Sequence, residues 1–141
     1  MRVFLDTNVL ASALVARGLC ADLLQHVVKE QTLVVGTPVV TELQRVLPRK
    51  LGLPREIVDG YVAFLLSVGE PAHDMRTPGE PIPDPDDVPV ISSALAANVD
   101  VFVTGDRALL ELGKVDGMPI VSPRGLWETL RDSTASADQE T

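Results

Sequence analysis

Short apolar strands alternating with helix-period segments place this chain in the α/β class, with a parallel sheet of four to five strands covered by helices on both faces. Three observations carry that expectation. Val3-Phe4-Leu5, Leu33-Val34-Val35, Val101-Phe102-Val103 and Ile120-Val121 are continuous apolar runs, as strands buried on both faces require. The segments between them repeat apolar residues three and four apart, the spacing of one helix face. Two of the runs end alike, Asp6-Thr7-Asn8 after the first and Thr104-Gly105-Asp106 after the third.

Taken in order, the first strand leads into an Ala- and Leu-rich helix from Val9 to Ala16 that stops at Gly18. Leu19, Leu23, Leu24, Val27 and Val28 mark a second helix over 19–30, with Asp22 near its start. After the second strand, Thr37 is positioned to cap and Pro38 to open a helix carrying Val39, Val40, Leu43, Val46 and Leu47. Pro48 is expected to break it. Pro54 begins another helix to about Ser67, with Ile57, Val58, Tyr61, Phe64, Leu65 and Val68 as its stripe and Gly60 as a weak point. The Pro-, Gly- and charge-rich stretch from Gly69 to Pro85 reads as a loop with room for a short edge strand. Val88–Ala97 is a helix, the third strand follows, and Arg107–Leu112 is a short helix. After the fourth strand, Ser122-Pro123 caps a last helix through about Leu130, with Trp127 as a core anchor. One domain over 1–131 and a disordered tail over 132–141, rich in Ser, Thr and acid, complete the expectation.

The composition bounds the function. At 45% hydrophobic and 23% charged, 141 residues suffice for one buried core, built from aliphatic residues because only 4% are aromatic. A net charge of −8 argues against a broad basic nucleic-acid face, yet leaves room for recognition through bound cations and local patches. Arg45, Arg49, Lys50 and Arg107 are the candidate patch residues. The single cysteine, Cys20, forms no intramolecular disulfide and stands among leucines as a buried spacer, which suits a reducing cytoplasm. Arg2, an apolar run and Ala11-Ser12-Ala13 loosely imitate a secretory signal, but Asp6 and Asn8 interrupt its apolar region. No apolar run reaches membrane-spanning length, so a cytoplasmic protein with no membrane partner is expected.

The acids carry the chemistry. Right-handed crossovers put the carboxyl ends of all parallel strands on one sheet edge, which brings Asp6 and Asp106 to the same side. Glu42 has two readings, a solvated helix acid or a carboxylate carried into the crevice, and its spacing by itself favours the first. Asp84-Pro85-Asp86-Asp87 puts three acids before a helix. Capping and the helix dipole account for one or two of them, and spacing leaves the place of Asp87 open. An EF-hand loop is excluded, because its alternating acids, glycine and distal Glu are missing. If four carboxylates converge, each close pair at about 4 Å repels by roughly 4 kcal/mol at an effective dielectric of ~20, so shared protons or a divalent cation are required. His26 reads as structural and His73 as a surface residue, neither with a partner at zinc-ligand spacing. Oxygen-only donors then point to Mg²⁺ or Mn²⁺ and to phosphodiester chemistry. No Ser-His or Cys-His arrangement and no glycine-rich phosphate loop competes with that reading.

Asp6-Thr7-Asn8-Val9-Leu10, Thr41-Glu42-Leu43, Asp84-Pro85-Asp86-Asp87 and Val103-Thr104-Gly105-Asp106, in that order, resemble the PIN domain family, and most closely its small bacterial VapC-like toxin components. The resemblance runs from Met1 to about Leu130. It implies a three-layer α/β/α fold and a metal-dependent ribonuclease, the toxin of a toxin–antitoxin pair, acting as a homodimer with an antitoxin partner. It assigns Asp6, Glu42, Asp87 and Asp106 as the catalytic, Mg²⁺- or Mn²⁺-binding acids, which reverses the spacing argument on Glu42 and settles Asp87. Asn8, Thr104 and Asp84 become supporting residues, with Thr7 also close to Asp6, and Asp86 a solvated acid. Val88 departs from the polar residue that related chains often carry after the third acid. An RNA-processing PIN nuclease without a toxin role and a catalytically silent PIN binding module are the alternatives. A phospho-acceptor receiver domain is disfavoured, since Asp6-Thr7-Asn8 lacks the paired acids it needs.

Overall fold

The computed structural model describes the backbone of residues 1–140 and the side chains of residues 1–133. Strand β1 (Arg2–Leu5) lies at the centre, and Val3, Phe4 and Leu5 are consecutively buried, the mark of a strand covered on both faces. It passes directly into helix α1 (Thr7–Val15), capped by Asp6 in extended backbone conformation. Helix α2 (Leu19–Glu30) follows at a sharp bend, and β2 (Thr32–Gly36) returns parallel to β1 with Val3 opposite Leu33. Helices α3 (Thr37–Leu51) and α4 (Arg55–Val68) lead to β3 (Glu70–Ala72), a parallel edge strand on β2. That strand fills the place left for one in the Pro-rich loop.

The chain then crosses to the other side of β1. A single 3₁₀ turn, Pro85–Asp87, opens helix α5 (Val88–Ala96), and β4 (Val101–Val103) pairs parallel to β1 with Leu5 opposite Val103. Helix α6 (Arg107–Leu112), the short β5 (Lys114–Val115), β6 (Met118–Val121) and α7 (Pro123–Glu140) complete the order. The sheet runs β3-β2-β1-β4-β6-β5, all parallel except the β5–β6 pair, with helices packed against it. The α/β/α class is as expected, and the six strands exceed the four to five anticipated. The extra antiparallel strand comes from an Asp-Gly turn: Asp116 and Gly117 both have positive φ, 48° and 84°, the geometry of a two-residue hairpin. Helix α7 runs past its expected end near Leu130 and continues to Glu140 through most of the stretch read as a disordered tail, of which the side chains beyond residue 133 lie outside the described residues.

Local departures have local causes. Gly36, not Thr37, is the N-cap of α3, and Pro48 lies within that helix without ending it. The helix ends one turn later at Gly52, in the left-handed conformation (φ 62°), whose N–H donates to the Pro48 carbonyl at 3.1 Å. Gly36 is needed for a second reason: a Cβ there would collide with Ser93 Oγ of α5 and come within 3.1 Å of the Phe4 ring. Helix α5 therefore sits directly on the end of β2. Ser122 Oγ accepts from the Gly125 N–H at 3.0 Å, the cap expected for the last helix. The buried Tyr61 hydroxyl donates to the Leu10 carbonyl at 2.6 Å and ties α4 to α1. Trp127 and His26 are half-buried and meet edge to face, with ring centroids 6.2 Å apart. His73 is exposed, its Nδ1 3.0 Å from Thr37 Oγ1.

Candidate active site at the switch point of the sheet

From β1 the chain moves outward to β2 and β3, then returns to β4 on β1's opposite side, so the strand order reverses between β1 and β4. A crevice opens outside the carboxyl ends of two strands at such a point. Asp6 leaves β1 and Thr104 leaves β4 there, joined by the Asp6 N–H donating to the Val103 carbonyl at 2.8 Å.

Asp6 is only 7% exposed and its carboxylate is fully engaged. Oδ1 accepts from the Thr7 N–H at 2.8 Å. Oδ2 accepts from the fully buried Thr104 hydroxyl at 2.8 Å and from Asn8 Nδ2 at 3.2 Å. Asn8 Oδ1 in turn accepts from the Gly105 N–H at 2.9 Å, and Thr104 Oγ1 accepts from the Asp106 N–H at 3.0 Å. Six residues from two strand ends thus form one hydrogen-bonded unit. Burial pushes the Asp6 carboxyl above its ordinary range. Hydrogen bonds from Thr104 and Thr7 pull it back, and the charges of Glu42 and Asp106 push it up again.

Glu42 reaches this unit through Thr7, whose hydroxyl donates to Glu42 Oε2. Helix α3 presents Glu42 half-buried, toward α1, so the solvated reading from its spacing does not hold. Asp106 is the N-cap of α6, its Oδ1 accepting from the Ala108 N–H at 2.8 Å and, more weakly, from the Leu109 N–H at 3.4 Å. Asp84 caps the 3₁₀ turn through the Asp86 N–H at 2.9 Å and is exposed, as is Asp86. That turn delivers Asp87, which makes no hydrogen bond through its carboxylate among the described residues. The Asp87 carboxyl is pushed up to about 6, by burial first and then by Asp106, Asp6, Asp84 and Glu42. Asp6 and Asp87 thus each feel the charges of both Glu42 and Asp106, and Asp87 that of Asp6 as well.

Among the described residues, no three His, Cys, Asp or Glu side chains stand close enough to form a ready metal-holding group. The donor set is nevertheless one of oxygens alone, and Mg²⁺ keeps several waters and takes only one or two carboxylates, so it requires no closed protein cage. Residue reading missed the Thr7–Glu42 link and the Gly105 N–H. A hydroxyl directly after a strand-end acid was the signal for the first, and backbone groups carry none in the sequence. Arg45, Arg49, Lys50 and Arg107 are all exposed, with no ion pair to a described residue.

Comparison with known proteins bears on the fold and the family. No curated protein matches the sequence significantly. Among solved structures, a chain of VapBC2 from Rickettsia felis, bound to a DNA fragment from their promoter, superposes with a TM-score of 0.65 at 18% identity, covering 86% of this chain and 98% of that one. VapC20 from Mycobacterium tuberculosis, a Sarcin-Ricin loop cleaving toxin, superposes with a TM-score of 0.57 at 13% identity, covering 83% and 98%. At those identities the likeness establishes the fold. The model of the PIN domain matches residues 2–108, well over half of the chain, and the chain belongs to the PIN domain family.

Proposed function

We propose that the chain is a divalent-metal-dependent ribonuclease that hydrolyses RNA phosphodiester bonds, with Asp6, Glu42, Asp87 and Asp106 as its cation-binding acids. The observation that carries the proposal is the gathering of these acids around the crevice at the switch point, with Asp6 and Glu42 linked through Thr7, Asp6 and Asp106 through Thr104, and Asp87 pushed up to about 6 by burial and by four other carboxylates. A cluster of like charges with no ion pair to Lys or Arg among the described residues is a strained arrangement that a divalent cation relieves. Mg²⁺ or Mn²⁺, when bound, supplies a water acidified to act near neutral pH and charge neutralisation at the phosphate.

The chain's own residues do the positioning. Thr104, Asn8 and the Thr7 N–H hold both oxygens of Asp6 in one orientation, so the buried acid loses no rotamer freedom when it is used. Thr7 fixes one oxygen of Glu42 and leaves Oε1 without a hydrogen bond among the described residues. Asp106 is oriented through its cap, with Oδ2 likewise unengaged. Asp84 caps the turn that carries Asp87 and adds its charge to the local negative field. Exposed cations, Arg107 beside Asp106 foremost, supply a few phosphate contacts in a chain of net charge −8, so RNA binding has a shallow salt dependence.

The family and the fold shared with VapBC2 and VapC20 support a further step: a toxin of a toxin–antitoxin pair, held by an antitoxin protein, acting as a homodimer in the cytoplasm. In-line attack by water on phosphorus, with the 3′-oxygen departing as the leaving group and taking up a proton, leaves a 5′-phosphate and a 3′-hydroxyl. The purified protein should cleave single-stranded RNA with Mg²⁺ or Mn²⁺ and not with chelator. Induced expression should arrest growth, relieved by a small gene adjoining its own. Cleavage that persists in chelator overturns the metal reading, and growth unaffected by an RNA-cleaving protein overturns the toxin reading alone.

A further inference from the structure

Beside the acids lies an open cleft of ≈ 430 Å³ lined by Asn8, Val9, Ser12, Cys20, Gly105, Asp106 and Pro123. Its volume falls within the range of about 300–1,000 Å³ typical of small-ligand sites. The floor comes from the first two turns of α1, one wall from the start of α2, and the other from the β4–α6 loop and the first residue of α7. The half-buried Pro123, with the almost fully buried Val9 at the base, makes it apolar. Ser12 Oγ and the Cys20 thiol add two polar groups with no hydrogen bond to any described residue. Apolar walls with a few uncommitted polar groups suit a flat heteroaromatic ring with polar edges. Asn8 and Gly105, by contrast, are already bonded to each other, and Asp106 belongs to the acid cluster itself. A ligand in the cleft therefore touches an acid of the cluster while resting on surfaces that the hydrolytic chemistry does not use. Arg107 and Arg124, both exposed, directly follow the lining residues Asp106 and Pro123, so two cations adjoin the cleft in sequence.

We infer that this cleft is a nucleobase subsite, taking the base of a nucleotide that flanks the scissile phosphate, with Ser12 and Cys20 setting which base fits. The inference rests on the ribonuclease reading and adds a source of sequence preference to it. A subsite with two weak polar groups and no aromatic platform discriminates by fit and by one or two edge hydrogen bonds, which amounts to a preference rather than an absolute code.

The test is an abasic scan. A short single-stranded RNA oligonucleotide is prepared as a series in which each nucleotide in turn lacks its base. Cleavage with Mn²⁺ is measured for the wild type, for Ser12→Phe, which fills the floor, and for Cys20→Leu, which narrows the wall. The wild type should lose roughly 10-fold or more in kcat/KM when one base adjoining the cleaved bond is removed. Both variants should cleave the intact RNA more slowly and be indifferent to that removal. A wild type that is insensitive to base removal next to the cleaved bond overturns the subsite, whatever the variants do. So does a folded variant, judged by its melting transition, that retains the full dependence; in both cases the ribonuclease reading stands. Absence of Mn²⁺-dependent cleavage across the whole wild-type series overturns the ribonuclease reading and the subsite together.

Discussion

Thr104→Val removes one hydroxyl and leaves the shape of a fully buried side chain almost unchanged. That hydroxyl donates to Asp6 Oδ2 at 2.8 Å and accepts from the Asp106 N–H at 3.0 Å. Asp6 is 7% exposed, so water replaces the lost donor poorly. A hydrogen bond to a charged partner contributes roughly 1.5–3 kcal/mol and one left unmade at a half-buried N–H about 1 kcal/mol. Together the substitution should destabilise the metal-free protein by about 2–4 kcal/mol, a large part of the ~5–15 kcal/mol that holds a domain folded. Urea unfolding followed by far-ultraviolet circular dichroism in chelator reads this directly. With a slope of about 2 kcal/mol/M, the midpoint falls by roughly 1–2 M. Thr104→Ser keeps the hydroxyl and loses one buried methyl, so it should cost only about 1 kcal/mol. A Thr104→Val loss below about 0.5 kcal/mol, or a Ser variant as unstable as the Val variant, would refute the claim that this hydroxyl holds Asp6.

Three further outcomes follow from the same geometry. Between the ordinary carboxyl value of 3.8 and about 6, folded Asp87 binds more protons than the unfolded chain, so in chelator stability should fall as pH rises through that window. Burial of Asp6 acts in the same direction; Mg²⁺ should flatten the trend, as should Asp87→Asn, and a metal-free protein most stable at pH 8 would contradict it. Thr7→Val releases Glu42 and should raise the Mn²⁺ concentration for half-maximal RNA cleavage by roughly 10-fold, which a metal titration of activity detects. Gly36→Ala drives a methyl group against Ser93 and Phe4 and should cost about 1–3 kcal/mol in the same urea assay.

Asp6 and Asp106 could be placed on one edge of the sheet from the residues alone, because strand runs are recognisable by composition and crossover handedness then orders their ends. Glu42 could not. Helical spacing says which residues share a face but not what that face meets, and the deciding contact is a hydroxyl thirty-five positions away. Asp87 was obscured for a related reason: its approach depends on a 3₁₀ turn capped by Asp84, where capping alone already explained an acid. The β5–β6 hairpin carried a legible signal, Asp116-Gly117, between flanks too short to show strand alternation. Pro48 shows the opposite error: near the end of a helix, with an αL glycine following, it is tolerated. The Arg2 guanidinium pairs with both Glu70 carboxylate oxygens, at 2.9 and 3.0 Å, and binds the Ala97 carbonyl, contacts across sixty-eight and ninety-five residues that no local pattern announces.

The central claim is that Asp6, held at the carboxyl end of β1 among three other acids, serves a cation-dependent hydrolysis of RNA. Cleavage of a labelled single-stranded RNA across a Mg²⁺ or Mn²⁺ titration, for the wild type and Asp6→Asn, tests it most directly. Asn nearly preserves the shape and removes the charge, and rate losses on the order of 10²-fold or more are expected when such a group is lost. The wild type should show cation-dependent cleavage, and a folded Asp6→Asn variant should lose nearly all of it. Cleavage by Asp6→Asn at the wild-type rate and metal dependence would contradict it.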